Sequence, residues 1–117
     1  MVANSTGVTI FGGPASGNDF MTLAAGSIIM KSNNLKKFEM GDTGAFLYGA
    51  AEDDFVNVKA DAVDVVAANK IQATFGATTK IGVDENDSTF VQIDSDSIDI
   101  IEDVSGTNTT VASFGHT

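Results

Sequence analysis

Cysteine, tryptophan and arginine are absent from this 117-residue chain, and tyrosine and histidine occur once each, as Tyr48 and His116. Without cysteine there are no disulfides and no thiolate metal sites in any compartment. Without arginine, and with six lysines against sixteen acids for a net charge of −10, the chain lacks the basic footprint that nucleic-acid binding demands. An anionic membrane surface is disfavoured for the same reason. No apolar run approaches the roughly 18–20 residues needed to cross a bilayer. The opening residues, "MVANSTGVTI", have neither the basic nor the apolar region of a signal peptide, so none is expected. No Ser-His-Asp or Cys-His set, phosphate loop or zinc spacing occurs. The expectation is therefore a protein that is not an enzyme, with no catalytic residue, no cofactor and no metal.

What is present is strand-and-turn material. Apolar residues make up 43% of the chain, and many are Val, Ile and Phe, set among Thr, Ser, Asp, Asn and Gly. Branched and aromatic residues suit a pleated surface, and Gly, Asn and Asp suit tight turns. Charge is uneven. Residues 1–44 are balanced, with three lysines against Asp19, Glu39 and Asp42, whereas residues 83–117 carry eight acids and no base. Such an acidic stretch is expected to keep an assembly soluble.

The chain also repeats itself. "DFMTL", "DFVNV" and "TFVQI" place Phe20, Phe55 and Phe90 at intervals of 35 residues, and eight residues after each comes Ile28, Val63 or Ile98. Short strands ending in Phe38, Phe75 and Phe114 follow, and "TIFG", "FLYG" and "TKIG" end in Gly12, Gly49 and Gly82. The reading is a single repetitive all-β segment, residues 1–117, of three repeats (about 7–44, 45–78 and 79–117), each of four short strands, with length differences in the turns. Alternation places Val91 and Ile93 on one face and Phe90 and Gln92 on the other; Ile98 and Ile100 flank an outward Asp99, and Val63 and Val65 flank an outward Asp64. The phenylalanines are expected to be core anchors, with Phe55 and Phe90 in equivalent, largely buried places. In "FGATTKIG" (75–82), Gly76 is expected to take the positive φ of a corner between repeats.

Units of about 35 residues cannot bury both faces of their strands, and repeats stack only if their terminal faces are covered. Neither end of the chain reads as a cap, and open strand edges invite other chains. Three copies around a common axis, a homotrimer with a pooled apolar core, are the expected solution.

The stretch "ATFGATTKIG … FVQIDSDSIDIIED … TVASFGHT" resembles the repeats of bacteriophage tail-fibre and tail-tip proteins, in which Phe-Gly-x-Thr-Thr-x-Ile-Gly corners alternate with short Val- and Ile-rich strands. The match covers roughly residues 71–117; "FEMGDTGAFLYG" departs from it, with Glu39 and Met40 between Phe38 and Gly41. The resemblance implies an intertwined homotrimeric fibre, a triple-stranded β-helix or a β-prism. It implies a structural role as a rigid shaft supporting host attachment, with other phage tail proteins and a host-surface glycan or protein as partners. The place implied is the virion tail, assembled in the host cytoplasm and extracellular after release. A receptor- or glycan-binding module of the tail and a polysaccharide depolymerase are the alternatives. Because "FGHT" (114–117) repeats only the start of "FGATTKIG", a longer parent chain is expected, continuing with Thr, a variable residue, an aliphatic and Gly.

Four places in the sequence carry side chains suited to a site. Asp84, Glu85, Asn86 and Asp87, and likewise Glu52, Asp53 and Asp54, supply oxygens suited to calcium but lack the spacing of a calcium loop; turn chemistry explains them. Asp94, Asp96, Asp99, Glu102 and Asp103 could pair carboxylates for glycoside hydrolysis only if held about 5–10 Å apart in a cleft, and outward acids on a fibre are the simpler reading. His116 falls at the variable corner position held by Ala77 in the preceding copy.

Overall fold

A computed structural model describes residues 1–13, 18–82 and 88–115. Asp84–Asp87 and His116 therefore lie outside the described residues. The chain divides into two units, Met1–Lys59 and Ala60–Thr117, and every regular element among the described residues is a strand. The first unit holds β1 (Val2–Asn4), β2 (Gly7–Phe11), β3 (Phe20–Ala24), β4 (Ser27–Ser32), β5 (Leu35–Gly41), β6 (Gly44–Tyr48) and β7 (Phe55–Val58). The second holds β8 (Ala62–Ala67), β9 (Lys70–Gly76), β10 (Thr79–Ile81), β11 (Ser88–Ile93), β12 (Ser97–Val104) and β13 (Thr107–Gly115). Within each unit consecutive strands pair antiparallel. The chain is thus all-β, and neighbours in sequence supply each other's ladder hydrogen bonds.

Local chemistry fixes the hairpins. Asn33-Asn34, Ala68-Asn69 and Ser105-Gly106 each have two successive positive φ values, from 51° to 83°. They join β4 to β5, β8 to β9 and β12 to β13 as two-residue turns whose twist matches that of the strands. A few residues from each turn the register slips by one, at Met30/Lys31, Val65/Val66 and Ile100/Ile101. Lys37, Gln72 and Val111 are the extra, bulged residues. The expected placing of length differences in turns fails here: these three turns are equally short, and it is the arms that differ. β12 and β13 have 8 and 9 residues, where β4 and β5 have 6 and 7.

Register also corrects two sequence expectations. Ile28 faces Met40, whereas Val63 faces Phe75 and Ile98 faces Phe114. Met40, and not Phe38, therefore occupies the place of Phe75 and Phe114. In "FGATTKIG" Gly76 ends β9 without a positive φ; the left-handed residue is Gly82, at φ 115°. That conformation brings the Gly82 backbone against Phe90, where an added Cβ would come within 2.9 Å of the Phe90 Cβ.

Which face is covered is the larger correction. Asp99 does alternate with Ile98 and Ile100, as expected, but it shares its face with the buried residues Phe90, Ile101 and Asp103. Asp64, expected to point outward, is 4% exposed and accepts a 2.8 Å hydrogen bond from the Thr74 hydroxyl. Ile98 instead is 45% exposed. Phe90 is the largest fully buried side chain, at 1%. Phe55 is only half-buried, and Phe75 and Phe114 are exposed, at 47% and 69%. The phenylalanines are not uniformly core anchors.

Candidate assembly face

Cross-strand partners in an antiparallel sheet share a face, so the register assigns every side chain to one side. In the first unit one side is built from two rows. Ile10, Met21, Met30, Phe38, Leu47 and Val56 follow one another from β2 to β7. Beside them run Val8, Leu23, Ile28, Met40, Ala45 and Val58. Neither row contains a charged or hydrogen-bonding side chain. Six of these twelve residues (Ile10, Leu23, Met30, Met40, Leu47 and Val58) are exposed, Leu47 at 63%.

The second unit repeats the arrangement with smaller side chains. Val65, Ala73, Ile81, Val91, Ile100 and Ala112 form one row from β8 to β13. Ile93, Ile98 and Phe114 extend the apolar side. Exposed apolar surface that is contiguous, rather than scattered, marks an interaction site in a soluble protein.

The opposite sides mix polar side chains with covered apolar and aromatic ones, Phe90 and Ile101 among them. In the second unit Asp64, Thr74, Lys80, Gln92, Asp99 and Ser113 face one another in sequence across six strands. Lys80 Nζ lies 5.0 Å from the centre of the Phe90 ring and helps to cover it. Nearby, a groove of about 520 Å³ is lined by Lys70, Thr74, Lys80 and Gly82. In the first unit the corresponding side gathers Phe46, Tyr48 and Phe55, with ring centres 5.7–5.9 Å apart. Glu39 joins this group: it accepts from Lys36 Nζ at 2.9 Å and from the Tyr48 hydroxyl at 3.0 Å. The Lys36 hydrogen bond, followed by that of Tyr48, holds the Glu39 carboxyl below its ordinary range against the opposing effect of desolvation. Burial, then the hydrogen bond to Glu39, pushes Tyr48 up to about 12. Sequence reasoning missed this group because its members come together only through the β5–β6 register.

Of the described acids singled out in the sequence, Asp94 and Asp99 are brought together at the Ser97 hydroxyl, which lies 3.4 Å from Asp94 Oδ1 and 2.8 Å from Asp99 Oδ2. Asp94 Oδ1 caps a turn, accepting from the backbone N–H groups of Asp96 and Ser97 at 2.9 and 3.0 Å, and those two bonds hold its carboxyl below the usual range. Asp99 accepts from the Ser97 hydroxyl, and Asp103 from the Gly106 N–H. Glu102 projects from the opposite side of β12 to Asp99 and Asp103. Glu52 accepts from the Lys36 N–H at 2.6 Å, and the carbonyl of Asp54 accepts from the Gly49 N–H at 2.8 Å. Among the described residues no three His, Cys, Asp or Glu side chains are grouped to hold a metal.

Comparisons with protein-family models, curated proteins and solved structures give no match to this chain.

Proposed function

We propose that the chain is a structural component of a phage tail fibre, a segment of rigid homotrimeric shaft that supports host attachment from the virion tail. The observation that carries this reading is the apolar side of each unit, uncharged in the rows of the first unit and bearing Glu102 beside Ile98 and Ile100 in the second, which the unit's own strands leave partly open to solvent. Three copies set around a common axis would cover those sides with each other and leave outward the sides that bear the polar row and the aromatic group. Of the two architectures that the tail-fibre resemblance implies, a β-prism suits the chain better than a triple-stranded β-helix. Consecutive strands already pair within the chain, so copies would meet face to face rather than by interleaving their strands.

A three-repeat organisation supports the shaft reading. β2–β5, β6–β9 and β10–β13 follow the same order of a short strand, a strand beginning at or near Phe20, Phe55 or Phe90, and a bulged hairpin. Gly12 and Gly49 donate to the carbonyls of Asp19 and Asp54 at 2.9 and 2.8 Å, matching bonds in the first two repeats. Stiffness would come from the antiparallel ladders within each unit.

The mass of the particle in solution tests the proposal. Light scattering should give three times the 12.1 kDa of one chain; a folded monomer would refute it. A second reading, a glycan-binding surface of the tail, is favoured by the Phe46, Tyr48 and Phe55 rings beside Lys36 and Glu39. Quenching of Tyr48 fluorescence by host-surface glycan would support that reading, and unchanged fluorescence at saturating glycan would count against it.

A further inference from the structure

Sulfur is concentrated on one side of the first unit. The chain has four methionines and no cysteine. Three of them, Met21, Met30 and Met40, stand in the two apolar rows, on the adjacent strands β3, β4 and β5. Met21 faces Met30, and Met40 stands between Ile28 and Ala45. Met21 is half-buried, whereas Met30 and Met40 are 46% and 45% exposed. Each of these two also lines a shallow groove of about 310 Å³, Met30 with Ile10 and Met21, and Met40 with Leu23 and Ile28. A small oxidant in water therefore reaches both thioethers in the single chain. The fourth methionine, Met1, is exposed but lies outside both rows.

The other repeats hold hydrocarbon at the same places. Met21 corresponds to Val56 and Val91, each one residue past the repeating Phe. Met30 precedes the register slip of its hairpin as Val65 and Ile100 precede theirs, and Met40 stands where Phe75 and Phe114 do. A sheet of this kind therefore accepts residues without sulfur there, and only the first unit carries oxidisable ones. With hydrogen peroxide the sulfur lone pair attacks one oxygen, the O–O bond breaks, and the departing oxygen leaves as water once protonated. The sulfur gives up the two electrons that the peroxide gains, and the thioether becomes a polar sulfoxide. On this side nothing donates to the new oxygen. The two rows hold no donor side chain, and β3, β4 and β5 are paired on both edges, which directs their backbone N–H groups into ladders. Water satisfies the sulfoxide while the side is open. Covered by another copy, it would be a buried polar group without a partner, which is strongly unfavourable.

We propose that Met30 and Met40 form a peroxide-reactive modification site that controls whether copies close over the apolar side. This inference rests on the shared-face reading given above and adds what regulates it. Oxidation and assembly exclude each other. The single chain exposes both sulfurs to peroxide, the sulfoxides keep a second copy off, and a side already covered shields its sulfurs. Enzymatic reduction returns a sulfoxide to the thioether, so the block is reversible.

Leucine replaces methionine in a packed face with little strain, which supplies the test. Met21→Leu serves as the background: it removes the half-buried sulfur and keeps Met30, Met40 and Met1. The comparison protein adds Met30→Leu and Met40→Leu and keeps Met1 alone. Both are oxidised with hydrogen peroxide in urea, so that every sulfur reacts, and are then folded by dilution; peptide masses locate the added oxygen. The oxidised background should regain its strand circular dichroism and scatter light as a single chain, a threefold fall in particle mass. The oxidised comparison protein should stay trimeric, and methionine sulfoxide reductases should return the background to the trimer. If the background carries both sulfoxides, folds and still forms trimers, the inference is overturned while the shared face stands. Dissociation of both oxidised proteins would overturn it as well, because Met1 alone would then suffice. So would loss of the strand signal in the oxidised background alone, since the sulfoxide would be acting on folding rather than on assembly. If neither protein exceeds one chain before oxidation, the shared-face reading fails and the inference falls with it.

Discussion

The hydroxyl of Tyr48 donates a 3.0 Å hydrogen bond to the same Glu39 oxygen that Lys36 holds at 2.9 Å. Tyr48 is the only tyrosine and there is no tryptophan, so its phenolate absorbance can be titrated without interference. The midpoint should fall near 12, above the ordinary 10.0. Replacing Glu39 with Gln should lower it but leave it above 10.0, because burial is the larger cause. A midpoint at the ordinary value in the parent protein would show that the hydroxyl is not engaged.

The same pair sets two stability windows of opposite sign. Tyr48 is raised on folding, so its contribution is complete below pH 10.0 and is lost as pH climbs toward about 12. Glu39 is lowered on folding, so its contribution is present above 4.5 and fades as pH falls through the folded value. Urea midpoints of Glu39→Gln and the parent should therefore converge in acid and separate near neutrality. A constant separation down to strong acid would contradict the lowered carboxyl.

Phe90 and Phe114 should respond differently to truncation. Phe90 lies beneath the Gly82 backbone and the Lys80 amine at 1% exposure, and Phe90→Ala should cost about 3–5 kcal/mol. Phe114 is 69% exposed, and within one chain its loss should change stability by no more than about 0.5 kcal/mol. Denaturant unfolding of the two variants measures both. Equal stability of the parent and Phe90→Ala would overturn the burial of Phe90.

How much of this was legible in the sequence depends on which physical term decides each feature. The starts of β3 and β7 at Phe20 and Phe55, and the grouping of Val91 with Ile93 against Phe90 with Gln92, follow from alternation, which is local. Alternation does not say which side of a strand will be covered. Asp64 and Asp103 were therefore expected outside and are buried, while Ile98 is exposed. The covering of Phe90 depends on a positive φ at Gly82, a backbone choice that glycine permits but does not announce. Ala68 hides a turn for a similar reason, since alanine carries no turn signal and the hairpin register imposes the conformation. Of the candidate face, the apolar residues were visible; their alignment into rows across six strands required the three bulges, which no residue type marks.

Ala68 adopts φ 51° in the turn from β8 to β9, where the first hairpin has Asn33 at the same φ of 51°. A left-handed conformation crowds the Cβ of an ordinary residue and is tolerated better by asparagine. Ala68→Asn should raise stability by up to about 1 kcal/mol, and Ala68→Val should lower it. Thermal melting of the two variants decides the point: if valine melted as high as alanine, the turn would not be left-handed there.

Leu47 gives the sharpest test of the apolar side. It stands between Phe38 and Val56 in the first unit's central row and is 63% exposed. In a single chain the position has room for a lysine whose stem lies along the sheet and whose amine reaches water. In a trimer packed through this side, the same amine would be trapped among apolar side chains, which is strongly unfavourable without a partner. Leu47→Lys should therefore leave the far-ultraviolet spectrum of the strands intact while sedimentation shifts from the trimer to the single chain. Thr43→Lys, in the exposed turn between β5 and β6, adds the same charge off the face and should leave the trimer unchanged. If Leu47→Lys sedimented as the parent does, this side would not be the one that copies share. If Thr43→Lys dissociated equally, net charge rather than the buried face would govern assembly.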